Sequence, residues 1–149
     1  MNKFILDTSI LLGYIRGNEL YKKIEEELIL TDEKNVVLIS VASNAELLSL
    51  GIQNNWGDAK LNSLQKLLTK IPIIGINHSD EKLLEIYAEI DAYSLNKLPN
   101  KKRNSSKTMG KNDLWIASTA YVTDSILVTT DKDFDHLDPE YIKVKRFNP

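Results

Sequence analysis

The chain contains no cysteine. That excludes disulfides, thiolate metal sites and a cysteine nucleophile. It has only two histidines, His78 and His136, and no second nitrogen ligand stands at metal spacing from either. No uninterrupted apolar run approaches the roughly 18 residues that a membrane span needs. Met1-Asn2-Lys3 before an apolar stretch mimics a secretory leader, but Asp7 breaks the run and no small-residue cleavage pattern follows. These absences predict a cytoplasmic protein with no membrane segment.

Neither sign of charge dominates, with 19 basic and 21 acidic residues. The balance hides a segregation. Lys97, Lys101, Lys102, Arg103, Lys107 and Lys111 form an acid-free basic stretch, and outside it 13 basic face 21 acidic residues. Positive charge is therefore concentrated in one segment of an otherwise acidic protein. With 149 residues, 42% of them hydrophobic, the chain is long enough for one domain over 1–149 with a sizeable core.

Short runs rich in Ile and Val predict strands at Lys3–Leu6, Val36–Val41, Ile71–Ile76, Ile126–Thr129 and Ile142–Lys145. They read as strands buried on both faces of a parallel sheet. Helical stripes fall between them at Glu19–Leu30, Asp58–Lys70, Asp80–Leu95 and Asp113–Val122, and another follows Asp7 with Ile10, Leu11, Tyr14 and Ile15. The alternation implies β-α-β units and a mainly parallel sheet. The segment at about 96–110, rich in Asn, Ser and basic residues, reads as a mobile surface loop.

Four acids stand at element ends: Asp7 after the first strand, Glu46 in Ser-Asn-Ala-Glu-Leu-Leu, Asp113 in Gly-Lys-Asn-Asp-Leu-Trp, and Asp131 in Thr-Thr-Asp-Lys-Asp-Phe. Each alone has an ordinary explanation. Asp7 can cap a helix, Ser43-x-x-Glu46 matches a capping box, Asp113 suits a helix N-terminus, and Asp131 suits a turn. As a set they are harder to explain that way. Asp113 shares its helical face with Ile116, Ala117 and Ala120, so it points inward. Carboxylates converging without a cation repel, and at least one is then driven toward protonation. A hard divalent cation, Mg²⁺ or Mn²⁺, resolves that with all-oxygen ligands.

Leu6-Asp7-Thr8-Ser9, Glu46, Met109 to Ala117, and Thr129 to Phe134, taken in that order, resemble the PIN-domain ribonucleases. The closest likeness is to the VapC-type toxins of bacterial toxin–antitoxin pairs. The resemblance implies a three-layer α/β/α sandwich, Mg²⁺ or Mn²⁺, and endonucleolytic cleavage of RNA, tRNA among the candidate targets. It implies a homodimer held inactive by an antitoxin. It also implies that Asp7, Glu46, Asp113 and Asp131 are catalytic. Of these, Asp7, Asp113 and Asp131 hold the metal, and Glu46 binds through water or orients the attacking water. Thr8, Ser9 and Thr129 support the acids. Asp131 and Asp133 both stand as candidates for the fourth acid, with Asp133 otherwise a supporting or turn residue.

Lys101, Lys102, Arg103, Lys107 and Lys111 are the candidate RNA-binding residues, since phosphate contacts supply much of the affinity for nucleic acid. Trp56 and Trp115 suit either base stacking or packing. Two other readings compete. One is a phosphoryl-handling α/β domain, a phosphatase or receiver with Asp7 as nucleophile, although Ser9 stands where such a phosphatase prefers a second acid. The other is a catalytically inactive scaffold of the PIN fold.

Overall fold

The structure is a computed structural model and describes residues 2–149; Met1, which opens the leader-like stretch, lies outside them. Five strands form one sheet: β1 (Lys3–Leu6), β2 (Val36–Ser40), β3 (Ile73–Ile74), β4 (Ile126–Thr129) and β5 (Val144–Arg146). Their order across the sheet is β3-β2-β1-β4-β5, and every pairing is parallel.

Side chains alternate across the central strands, as the two-residue period of a strand requires. Phe4, Leu6, Ile39 and Val128 enter one core, together with Ile10 and Leu11 of α1 (Thr8–Arg16) and Ile24 of α2 (Glu19–Leu28). Ile5, Leu38 and Leu127 enter the other, with Ile86 and Ile90 of α5 (Glu81–Ser94) and Leu114, Ile116, Ala117 and Ala120 of α6 (Lys111–Val122). The result is the expected three-layer α/β/α sandwich. Each fully buried Leu or Ile contributes about 1.5–3 kcal/mol through removal of apolar surface from water. α3 (Val41–Gln53) and α4 (Asp58–Lys70) complete the helices, with Leu47 and Leu64 packed in the first core.

Several boundaries differ from the sequence expectation for local reasons. α2 stops at Leu28, not Leu30, because Ile29 takes a left-handed conformation (φ 51°). The third strand shrinks from Ile71–Ile76 to two residues. It lies at the sheet edge, and Pro72 has no N–H to give; its carbonyl still accepts from Ile39 N at 3.0 Å. The last strand starts at Val144 instead of Ile142. The amides of Tyr141 and Ile142 turn back onto Leu137 O at 2.9 and 3.3 Å, which anchors both side chains in the core. Val41 opens α3 and does not close β2, since Ser40 Oγ accepts from Ala42 N at 3.2 Å and caps the helix.

The topology sets the position of the site. After β3 the chain crosses back to lay β4 on the other side of β1. The strand order reverses at the β1/β4 junction, and open α/β sheets bind ligands at such a junction, beyond the carboxyl ends of the strands. Asp7 follows β1 directly, and Thr130 and Asp131 follow β4.

Candidate active site

Asp7 is 5% exposed, at the C-terminal tip of β1. Its Oδ1 accepts from Thr8 N at 2.8 Å, so it does cap α1. Its Oδ2 accepts from Ser9 Oγ at 3.2 Å and from Thr129 Oγ1 at 2.6 Å. The same two hydroxyls act as acceptors on the β4 side: Thr129 Oγ1 takes the Asp131 amide at 2.9 Å and Ser9 Oγ the Thr130 amide at 3.2 Å. The small polar residues thus stitch the ends of the two strands together and fix the carboxylate between them. Burial raises the Asp7 pKa despite these hydrogen bonds, which oppose it, and the Asp131 charge adds to the rise.

Asp131 caps a 3₁₀ turn over Lys132–Leu137, its Oδ1 accepting from Asp133 N at 2.9 Å. Asp113 lies in the first turn of α6, half-buried. One carboxylate oxygen from each of Asp113, Asp131 and Asp133 lies within 4.8 Å of the others. The tightest group of acids therefore includes Asp133, which the sequence left as an alternative or supporting residue. Asp7 stands behind it, joined to Asp131 through Thr129. The Asp113 pKa is pushed up to about 7, by burial first and then by the charges of Asp7, Asp131, Glu46 and Asp133.

Glu46 projects from α3. Its pKa is raised by burial and then by Asp7, with Asn112 and Thr8 opposing. Ser43 and Glu46 do not form the capping box that stood as the ordinary alternative for Glu46. α3 begins at Val41 with Ser40 as its cap, so both residues sit inside the helix. Ser43 Oγ and Glu46 Oε1 are both buried with no hydrogen-bond partner among the described residues, as is Thr8 Oγ1. A carboxylate that keeps one buried oxygen unpartnered, with Asp7 and Asp113 near enough to act on it, suits ligand binding better than helix capping.

The donor set fits a hard cation. Three carboxylates are close enough to share one ion, all the ligands are oxygen, and Asp113 has its pKa raised by burial and then by the neighbouring acids, whose repulsion a cation would relieve.

The basic loop, whose composition reads as mobile, is tied to the rest of the fold by hydrogen bonds. Asn96 clasps Arg103 from both sides, Nδ2 donating to Arg103 O at 2.9 Å and Oδ1 accepting from Arg103 N at 2.7 Å. Arg103 Nη1 and Lys107 N both donate to Ser94 O, each at 2.7 Å. Lys101 pairs with Glu140 at 3.1 Å and lies over the Tyr141 ring. The Asn and Arg side chains that read as solvated loop chemistry instead supply the anchors. Lys102 and Lys111 remain exposed, while Lys107 Nζ reaches Asp133 Oδ1 at 2.7 Å. Nothing in the sequence spacing signals this ion pair.

Both tryptophans pack. Trp56 is 8% exposed in the first core, and Trp115 lies 4.2 Å from the Tyr87 ring, centroid to centroid. His136 Nε2 lies 2.7 Å from Ser94 Oγ, and its pKa is lowered to about 4 by burial and by Arg103 and Lys107.

The sequence matches no curated protein. Among solved structures, the chain is similar to VapBC2 from Rickettsia felis bound to a promoter DNA fragment. That match has a TM-score of 0.77 and 22% identity, over 98% of this chain and 99% of that one. VapBC-1 from nontypeable Haemophilus influenzae matches with a TM-score of 0.72 and 22% identity, over 97% of each chain. VapBC-5 from Mycobacterium tuberculosis, a member of the VapBC family of toxin–antitoxin systems, matches with a TM-score of 0.66 and 20% identity, over 99% of this chain and 100% of that one. These likenesses agree with the fold. The family model of the PIN domain matches residues 4–139, nearly the whole sequence, and the chain belongs to that family.

Proposed function

We propose that the chain is a Mg²⁺- or Mn²⁺-dependent endoribonuclease and the toxin of a toxin–antitoxin pair. The observation that carries this reading is the meeting of Asp113, Asp131 and Asp133 within 4.8 Å at the β1/β4 junction, with Asp7 and Glu46 beside them. Asp113, Asp131 and Asp133 or Asp7 would hold the cation. When bound, the cation acidifies water and neutralises charge on the scissile phosphate.

The protein's own groups have separable tasks. Thr129 and Ser9 hold Asp7 so that its charge faces the site without swinging. Thr129 also fixes the Asp131 backbone, so one hydroxyl aligns two acids. Glu46, with its raised pKa and an unpartnered Oε1, orients the attacking water and takes its proton. Lys102, exposed within the anchored loop, and Lys111, exposed at the start of α6, hold RNA phosphates outside the cluster.

The phosphatase or receiver reading needs Asp7 as a free nucleophile. Its two oxygens instead accept three hydrogen bonds and it is almost wholly buried. The inactive-scaffold reading finds no support in a cluster where no acid has been replaced. The similar VapBC structures favour an antitoxin as partner. Exposed Leu48 and Ile52 on α3, the latter 82% exposed, favour a homodimer contact there. Among the described residues no helix is long and apolar enough to cross a membrane, in keeping with a cytoplasmic site of action.

The test is incubation of end-labelled RNA with purified protein in Mn²⁺, in Mg²⁺ and in chelator, beside a phosphomonoester substrate. Internal cuts in RNA that need the metal are expected. Phosphomonoester hydrolysis without RNA cutting would instead support the phosphatase reading.

A further inference from the structure

The five acids around the junction carry more negative charge than one divalent cation balances, and a phosphodiester brings one more. Among the described residues, a single basic side chain forms an ion pair with any of these five: Lys107, with Nζ 2.7 Å from Asp133 Oδ1. Its neighbours in the basic loop are committed elsewhere, Lys101 to Glu140 and Arg103 to Ser94 O and the Tyr93 ring.

Lys107 is delivered to that place by its backbone. Its amide donates to Ser94 O at 2.7 Å, at the end of α5. Two residues on, Met109 is 5% exposed in the second core and its sulfur lies 3.2 Å from Ser94 Oγ. Four residues earlier, Arg103 is locked by Asn96 and by Ser94 O. The stem that carries Lys107 is thus fixed at both sides, while about a third of its side chain stays exposed. The ammonium is held against Asp133, and the side chain that carries it is not enclosed. There it can contact an anion lying over the cluster, which a lysine buried in an ion pair could not do.

We propose that Lys107 is a positioning residue of the nuclease site: its ammonium serves as a built-in second cation beside Asp133, competing with metal there and holding the substrate phosphate over the acid cluster. This rests on the nuclease reading above. It gives Lys107 a task different from that of the exposed loop lysines, which add to RNA affinity only.

The experiment compares wild type, Lys107→Ala, Lys107→Arg and, as a distant ion-pair control, Lys22→Ala. Two readouts are taken on each. One is Mn²⁺ affinity of the RNA-free protein by calorimetry. The other is the single-turnover cleavage rate at saturating RNA and Mn²⁺. The expected signature of Lys107→Ala is a split. Mn²⁺ binds severalfold tighter, because a competing charge has left Asp133, while cleavage slows tenfold or more. Lys107→Arg regains most of the rate, and Lys22→Ala matches wild type in both. A merely structural ion pair gives a different pattern: Mn²⁺ binding unchanged or weaker with a lowered Tm, and a rate that follows the loss of folded protein. That result, or wild-type values for Lys107→Ala in both readouts, overturns the proposal while leaving the nuclease intact. A wild-type protein that cuts no RNA overturns the nuclease reading, and the positioning role with it.

Discussion

Asp113→Asn should stabilise the metal-free protein, and the gain should depend on pH. Among the described residues nothing donates a hydrogen bond to the Asp113 carboxylate, so the amide sacrifices no existing bond, and the change removes a charge that four other acids repel. The folded-state pKa is raised from 3.8 to about 7. The folded protein therefore holds a proton on Asp113 that the unfolded chain has already lost. The stability this contributes is fully present below pH 3.8 and drains away as pH rises to about 7. At about 1.36 kcal/mol per pH unit the unscreened loss is ~4 kcal/mol. Asp113 is only half-buried, and solvent screening brings the figure to about 2 kcal/mol. The asparagine variant does not titrate. Its advantage over wild type in chelator should be near zero at pH 4 and reach about 2 kcal/mol at pH 8, roughly 4–8 °C in Tm for a chain of this size. Excess Mn²⁺ should reverse the order, because a ligand that binds only the folded state stabilises it and wild type keeps the better site. Melting curves in chelator from pH 4 to 8 are the assay. A constant difference between the two proteins across that range would refute the claim that the acids repel one another at this junction.

Thr129→Val should cost about 1–3 kcal/mol, since it removes the donor to Asp7 and strands the Asp131 amide; chemical denaturation measures the loss, and cleavage should fall with it. Replacing Lys102 and Lys111 together with Ala should flatten the slope of log RNA affinity against log salt by about 0.7–0.9 for each phosphate that is no longer neutralised, read by anisotropy titrations at several salt concentrations. His136 has its folded-state pKa lowered to about 4, so its contribution is present above pH 6.5 and lost as pH falls through 4; His136→Asn should flatten the fall of Tm in that acid range.

The sandwich is legible in the sequence because its signals are local. Two of the five strands, Lys3–Leu6 and Ile126–Thr129, have the bounds that their apolar runs predict, because central strands buried on both faces carry an uninterrupted signal. The apolar run overdraws the edge strand at Ile73–Ile74, since such a run cannot show that only one side has a partner. Ser43-x-x-Glu46 obscures α3, because it reads as a helix start although the helix begins at Val41, two residues before Ser43. The site is legible to the extent that its acids fall at element ends. The roles of Thr8, Ser9 and Thr129 follow from the family likeness, and two of the three hydroxyls, those of Ser9 and Thr129, bond Asp7. Asp133 and Lys107 are harder to place for a physical reason. The nearness of Asp133 to Asp113 depends on how the 3₁₀ turn folds back, and that of Lys107 to Asp133 on where Ser94 anchors the loop. Both are tertiary facts without a periodicity. The same anchoring explains why a segment rich in Asn, Ser and Lys, with the composition of a mobile loop, is held in place.

The proposed function requires the acids at the β1/β4 junction to form a metal-dependent nuclease site. Its most direct test is the single-turnover rate of RNA cleavage in saturating Mn²⁺ by wild type and by Asp113→Asn, each first checked to be folded. Wild type should cut RNA internally, chelator should abolish the cutting, and the variant should lose at least a hundredfold in rate despite its greater stability in chelator. Cleavage by Asp113→Asn at the wild-type rate would contradict the proposed function.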